Sequence, residues 1–266
     1  MRIVRHVDDA REGLREARAG GRRIGLVPTM GAFHAGHLAL IGAARASCDV
    51  VVVSLFVNPA QFTQPDDLAR YPRDEAADAR AAEAAGADLL FVPGADEMYP
   101  EGFDTWVEPG ELGRLLEGEM RPGHFRGVAT VCTKLFAIVQ PDVAFFGRKD
   151  AQQVAVIRRV VADLNLPLEI VALPTVRDAD GLALSSRNVF LSGEQRASAL
   201  ALPRALEAGH AAHRAGRDPV AAAREILDAE PGLEVDYVAV ADFDGQTLAA
   251  AIRVGSTRLI DNARLE

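Results

Sequence analysis

At 266 residues the chain is long enough for one large domain or two of ordinary size. Hydrophobic residues make up 49% and charged residues 25%, near the globular average, which excludes a disordered polyelectrolyte. A net charge of −9 sets the surface as a whole against nucleic acid and anionic membranes, so any phosphate site must be local, built from a few cations and backbone N–H groups.

Residues 1–20 are charged throughout and lack the apolar core of a secretory signal, and no apolar run approaches the roughly 18 residues of a membrane span. A cytoplasmic location is expected. Up to residue 175, short apolar runs alternate with Ala-rich amphipathic segments, the pattern of βα units around a parallel sheet. Strands are predicted at 24–28, 50–57, 87–93, 143–147 and 168–173; their nearly unbroken Val, Ile, Leu and Phe content fits a sheet covered by helices on both faces. Helices are predicted from near Gly36 and at 72–85, 126–139 and 150–164, with Pro72 and Asp150 as start signals. Leu173-Pro-Thr175 closes the last of these strands and is followed by a polar, turn-rich stretch, which puts a domain boundary there. Beyond it, helices at 193–215 and 219–229 and strands at 233–242, 251–255 and 257–260 predict a smaller domain. The expected fold class is therefore α/β, a Rossmann-like parallel sheet over 1–175 followed by an α+β domain over 176–266. Cys48 and Cys132 lie in apolar contexts without the spacing of a metal knuckle and read as reduced core thiols.

The first chemically suggestive segment is Val27-Pro-Thr-Met-Gly-Ala-Phe-His-Ala-Gly-His37, a strand end, a glycine-bearing turn and a helix start. In an open α/β sheet, ligands bind at the carboxyl ends of strands, where a helix N-terminus offers N–H groups to phosphate. His34 and His37, three residues apart and able to share one face once the helix starts, suit hydrogen bonding to a triphosphate; a zinc pair and two ordinary surface histidines are the competing accounts, and no third zinc ligand stands nearby. His210-Ala-Ala-His213 has the same spacing inside a helical stretch, so spacing by itself decides nothing. Gly147-Arg-Lys-Asp150 follows another apolar strand: Lys149 suits phosphate, and Asp150 suits a ribose hydroxyl, a water-bridged Mg²⁺ or simply a helix cap. Leu184-Ser-Ser-Arg187 offers two hydroxyls and a guanidinium to phosphate, or is an ordinary polar turn.

PTMGAFHAGH, Phe56-Val-Asn-Pro-Ala-Gln-Phe62, Tyr71-Pro-Arg73, Arg121-Pro-Gly-His-Phe-Arg-Gly127, Phe146-Gly-Arg-Lys-Asp150, Gln152-Gln153 and Asp180-Gly-Leu-Ala-Leu-Ser-Ser-Arg-Asn188 occur in an order that resembles the pantothenate synthetases, within the HxGH nucleotidyltransferase superfamily. HxGH alone indicates only the superfamily; the ordered set, dense over 24–190, indicates the family. The resemblance implies an AMP-forming ligase that condenses pantoate with β-alanine through a pantoyl-adenylate, with ATP and Mg²⁺ but no tightly bound organic cofactor. It implies ATP binding by Met30, Gly31, Ala32, Phe33, His34, Ala35, Gly36 and His37, by Gly147, Arg148, Lys149 and Asp150, and by Val176, Leu184, Ser185, Ser186 and Arg187. By the same resemblance His37 is the proton donor, with His34, Lys149 and Arg187 as catalytic partners. Gln61 binds pantoate and β-alanine, Gln153 binds pantoate, and the second domain closes over the ATP site. Partners are then small molecules and a second copy in a homodimer, not nucleic acid or membrane. Another HxGH nucleotidyltransferase, or a nucleotide-binding regulatory module without catalysis, are the alternatives. His124, Arg126 and the Tyr71-Pro-Arg73 block carry no assigned role. The chain departs from the family's common pattern at Arg148, where an acid is usual, and at Ala151, where an aromatic is usual.

Overall fold

A computed structural model describes all residues, 1–266, and the chain divides into two compact units. One comprises Met1–Gly147 and Gln153–Leu173, the other Arg148–Gln152 and Pro174–Glu266.

The first unit holds a six-stranded parallel sheet of β1 (Arg2–Val4), β2 (Ile24–Thr29), β3 (Val50–Leu55), β4 (Leu89–Phe91), β5 (Val143–Gly147) and β6 (Glu169–Leu173), in the order β1-β4-β3-β2-β5-β6. The helices are α1 (Val7–Ala19), α2 (Ala35–Ser47), α3 (Pro65–Arg70), α4 (Glu75–Ala84), α5 (Ala95–Met98), α6 (Glu117–Met120), α7 (His124–Val139) and α8 (Ala151–Asp163), the last beginning in the other unit's segment. Successive strand residues point to opposite faces. Leu26, Val52, Phe91 and Phe146 join the core cluster that includes Leu14 of α1 and Leu135 of α7, whereas Val27, Val53, Leu90 and Phe145 join Ile41 of α2 and Ala82 of α4. Both faces are covered, which is why the strands read as unbroken apolar runs rather than alternating ones.

The order reverses at β2: the chain runs outward through β3 on one side and through β5 on the other. Such a reversal opens a crevice at the carboxyl ends of the two central strands, where no crossover helix covers it. Thr29 and Gly147 end those strands.

Several expected boundaries move. The helix predicted from Pro72 begins at Glu75, because the Asp74 carboxylate caps it by accepting from Ala77 N at 2.9 Å. The stretch 193–215 is broken into α9 (Gly193–Ala199) and α10 (Ala201–Arg214) at Leu200, shortly before Pro203, whose missing N–H and ring forbid a regular helix through that turn. His210 and His213 lie toward the C-terminal end of α10, with His213 in its last turn, rather than in mid-helix. β1 and α1 were not predicted. β1 is only three residues long, and the buried stripe of α1, Ala10, Leu14 and Ala17, is narrow within a strongly charged segment.

In the second unit, β7 (Leu233–Asp242), β8 (Gln246–Val254) and β9 (Thr257–Arg264) form an antiparallel sheet, with β8 and β9 longer than expected. Leu248, Ile252 and Leu259 on one face share a core with Leu202 and Leu206 of α10 and Leu227 of α11 (Pro219–Asp228). Asp236 sits at a bulge between Val235 and Tyr237, and its buried carboxylate accepts from Arg253 Nε at 3.0 Å and Arg258 Nε at 2.6 Å.

Candidate functional site

The turn that leaves β2 is built from backbone conformations most residues avoid. Gly31 has φ +89° and Ala32 φ +54°. A Cβ on Gly31 would come within 2.7 Å of Leu55 Cδ1 and 2.8 Å of an Asp78 carboxylate oxygen, so only glycine fits. The left-handed Ala32 is held by Asp78 on α4, whose Oδ2 accepts from Ala32 N at 2.9 Å and Oδ1 from Phe33 N at 2.7 Å. Asp78 is 4% exposed and was not among the residues expected to matter. Its only sequence signal is a carboxylate on the inward face of an Ala-rich helix.

The turn delivers the chain to α2 with His34 as N-cap and His37 in the first turn. His34 Nδ1 accepts from Gly36 N at 3.1 Å, and His37 Nδ1 accepts from His34 N at 3.3 Å. A backbone N–H can only donate, so each Nδ1 is the unprotonated nitrogen of a neutral ring and each Nε2 carries the hydrogen. The ring centroids are 4.2 Å apart, and Phe33 lies 5.2 Å from His37. Gly36 leaves room for the His34 ring: a Cβ there would stand 2.9 Å from His34 Cε1 and displace it. The two histidines thus come together not by sharing a helical face but because one caps the helix that the other begins.

The second cluster is centred on Gln61, 8% exposed, in the short 3₁₀ turn Pro59–Gln61 after β3. Gln61 Nε2 meets Met30 Sδ at 3.0 Å, and Oε1 accepts from Asn58 Nδ2 at 3.0 Å. Asn58 is buried, donates also to Gly127 O at 3.1 Å, and accepts from the Tyr99 hydroxyl at 2.8 Å. The Gln61 carbonyl accepts from His124 Nδ1 at 2.8 Å and from Arg121 at 3.2 Å. Met30 and Gln61 are therefore neighbours, and His124 acquires a place beneath Gln61. Arg126 goes elsewhere, over the Trp106 ring at 4.3 Å and against Glu108 at 3.0 Å. Burial pushes the Tyr99 phenol above its ordinary range and the Cys132 thiol up to about 12, and it lowers the Lys134 ammonium, which lies 4.8 Å over Phe103. Tyr99 and Cys132, both raised, hold structure rather than exchange protons near neutrality. Arg73 donates to Leu68 O at 2.8 Å and Tyr71 O at 3.1 Å, capping the end of α3.

Gly147 ends β5, and Gln153 is partly exposed on α8. In the second unit, Arg148–Asp150 form a 3₁₀ turn in which Lys149 Nζ lies 3.4 Å from Asp150 Oδ1 and Arg148 reaches Asp244 at 3.9 Å. Asn262 Nδ2 donates to Arg148 O at 2.8 Å and Lys149 O at 2.9 Å. Residues 176–184 form a hairpin, with Leu184 N donating to Val176 O at 3.0 Å and Arg177 bridged to Ala183. It leads into Ser185, whose hydroxyl accepts from Arg187 N at 3.2 Å and opens the turn Ser186–Phe190. Arg177 and Asp261 make a two-point ion pair at 2.6 and 3.3 Å. Arg196 holds Asp178 at 2.6 Å and Asp180 at 2.8 Å, which lowers the Asp180 carboxyl below its usual range.

The family model described as pantoate-beta-alanine ligase matches residues 2–264. The pantothenate synthetase of Heliobacterium modesticaldum is 51% identical over 280 residues, covering all of both chains. That of Rhizorhabdus wittichii is 52% identical over 279 residues, covering 100% of this chain and 99% of its own. Among solved structures, pantothenate synthetase from Thermus thermophilus superposes with a TM-score of 0.93 at 46% identity, covering 100% of this chain and 99% of that one. Pantoate-beta-alanine ligase from Francisella tularensis, complexed with beta-gamma ATP and beta-alanine, gives 0.88 at 34% identity, with 100% and 98% covered.

Proposed function

The chain belongs to the pantoate–beta-alanine ligase family, and from that premise we propose how its side chains divide the work. The enzyme condenses pantoate with β-alanine at the expense of ATP. A pantoate carboxylate oxygen bonds to the α-phosphorus, the bond from that phosphorus to the bridging oxygen breaks, and pyrophosphate leaves with the electron pair. The amine of β-alanine then attacks the acyl carbon, the bond to AMP breaks, and the new amide nitrogen sheds a proton. Adenylation is needed because a free carboxylate has no adequate leaving group.

The observation that carries this reading is the pair of imidazoles at the carboxyl end of β2, each with Nδ1 tied to a backbone N–H, in a chain that matches the family over 2–264. Charge builds on the pyrophosphate oxygens as the bond breaks, so fixed donors stabilise the transition state more than the ground state. His37 gives the hydrogen on Nε2 and His34 a second donor; neither must reorganise, because their other nitrogens are already held. Within the second unit, Lys149 serves as a point charge for phosphate and Ser185, Ser186 and Arg187 as further phosphate donors, with Val176 and Leu184 as nucleotide contacts. Gln61 and Gln153 take pantoate. An amide can both donate and accept without competing as a nucleophile. The bonds from Asn58 and His124 support Gln61 in this role, since they limit its freedom before substrate arrives.

Magnesium enters on the triphosphate. No group of three or more His, Cys, Asp or Glu side chains could hold a metal ion, and Asp150 offers a single carboxylate beside Lys149, which suits an ion that keeps several waters. A homodimer in the cytoplasm completes the proposal on the strength of the family; sedimentation at assay concentration tests the dimer, and no helix is long and apolar enough to cross a membrane. Pantoate-dependent exchange of labelled pyrophosphate into ATP without β-alanine tests the mechanism. Turnover without exchange would remove the adenylate, and AMP release that does not need β-alanine would remove the ligase step.

A further inference from the structure

Two adjacent residues of β9 hold, respectively, the hairpin that leads into Ser185–Arg187 and the Arg148–Lys149 segment of the second unit. Successive strand residues point to opposite faces, and here both faces are used. Asp261, opposite Ala250, lies on the face of Leu259 and is 2% exposed; it holds Arg177 through two bonds at 2.6 and 3.3 Å. Asn262, opposite Ala249, lies on the other face and gives its amide nitrogen to the carbonyls of Arg148 and Lys149 at 2.8 and 2.9 Å. The Asp261 carboxylate also fixes the backbone of its neighbour, because its Oδ1 accepts from the Asn262 backbone N–H at 2.8 Å.

What each anchors has a direct covalent path to a proposed phosphate ligand. Arg177 begins the hairpin 176–184 and also donates to Gly181 O at 3.1 Å, and that hairpin runs straight into Ser185, Ser186 and Arg187. Asn188 closes the segment by donating to Ala183 O at 3.0 Å. Arg148 and Lys149 are the residues whose carbonyls Asn262 binds, so the position of the Lys149 backbone depends on that amide. The chemistry at each position is specific. An N–H₂ group has two hydrogens and can serve two carbonyl oxygens at once, whereas a carboxylate of the same shape has none to give and would oppose them with negative charge. The guanidinium fork of Arg177 reaches both Asp261 oxygens from one side chain.

We propose that Asp261 and Asn262 are positioning residues for adenylation: one strand holds the Arg148–Lys149 segment and the Ser185–Arg187 segment in a common frame, so that ATP meets a preformed set of donors. This rests on the reading of those segments as ATP ligands. The prediction is specific to one substrate, which a general stabilising role is not.

The test uses the full-length enzyme with Asn262→Asp, Asn262→Ala and Arg177→Lys, measuring ATP binding by calorimetry and pantoate-dependent pyrophosphate exchange. Expected are an ATP Kd raised about tenfold or more, a larger effect for Asn262→Asp than for Asn262→Ala, and KM values for pantoate and β-alanine within about twofold of wild type. Folded Asn262 variants whose ATP Kd and exchange rate stay within about twofold of wild type would overturn the proposal. If the Asn262 variants do not fold, a folded Arg177→Lys with unchanged ATP affinity would assign β9 to stability alone and overturn it equally. Wild-type enzyme that binds ATP but exchanges no pyrophosphate would refute the adenylate mechanism instead, while the binding comparison still judges Asp261 and Asn262.

Discussion

Replacing Asp78 by Asn is the sharpest probe of how the β2 turn is held. The change is nearly isosteric, but one of the two acceptor oxygens becomes an N–H₂ group facing a backbone N–H. Asp78 makes two bonds to the turn, at 2.9 and 2.7 Å, and is 4% exposed, so solvent cannot replace what is lost. Hydrogen bonds to a charged acceptor contribute about 1.5–3 kcal/mol each, so Asp78→Asn should cost about 2–3 kcal/mol. Asp78→Ala abandons both N–H groups and should cost about 3–5 kcal/mol. Release of Ala32 from φ +54°, which an alanine adopts only when its surroundings impose it, relieves strain and offsets part of that loss. Urea titration followed by far-ultraviolet circular dichroism, with Trp106 fluorescence as a second probe, gives the stability change. Pyrophosphate exchange gives the functional one. Because His34 follows the turn directly, exchange kcat should fall about tenfold or more in folded Asp78→Asn, with the pantoate KM little changed. A variant within about 0.5 kcal/mol of wild type and with unaltered exchange would show that the carboxylate does not set the turn.

His37→Ala should lower kcat about 10²–10⁴-fold while leaving the β-alanine KM nearly unchanged, and initial-rate kinetics with both substrates varied would reveal the reverse pattern. Gly31→Ala should destabilise by more than about 1 kcal/mol, since both the φ of +89° and the 2.7 Å approach to Leu55 oppose a Cβ; urea denaturation measures it. His6 and Glu97 form a pair at 3.0 Å that raises the His6 pKa, while Val7 N–H and then His6 lower that of Glu97. The raised histidine contributes stability fully below its unfolded pKa of about 6.5 and loses it as pH rises through the folded value. The depressed carboxylate contributes above about 4.3 and loses it as pH falls, so the stability gap between wild type and His6→Gln should be widest near about pH 5.5 and close on the alkaline side. Cys132, buried and with its thiol pushed up to about 12, should resist a thiol reagent at pH 8 until urea unfolds the chain; rapid labelling of native protein would contradict the packing.

The parallel sheet was legible because burial on both faces leaves unbroken apolar runs, and β5 was predicted with its observed bounds from that signal alone. Helix limits were less legible where a cap competed with proline: Asp74, not Pro72, starts α4, and only the 2.9 Å bond to Ala77 distinguishes them. The His34/His37 motif was recognisable from its strand-end setting, yet its geometry, a histidine N-cap accepting from Gly36, was not, since histidine is no strong capping residue and spacing suggested a shared helical face. Asp78, Tyr99, Asp261 and Asn262 lie outside every motif quoted above. Each acts on a segment far away in sequence, and nothing local marks an inward-pointing polar side chain.

The central strands in their order, the covered sheet and the change of character past residue 173 follow from the sequence by itself, because periodicity and residue type are local properties. Only the tertiary structure decided which polar groups hold the proposed phosphate-binding segments in place. The PTMGAFHAGH turn thus depends on a carboxylate from α4, and the Arg148–Lys149 segment on an amide from β9. The physical reason is the same in both: a backbone N–H or C=O removed from water must find a partner, and which residue supplies it is settled by where the fold brings distant strands and helices.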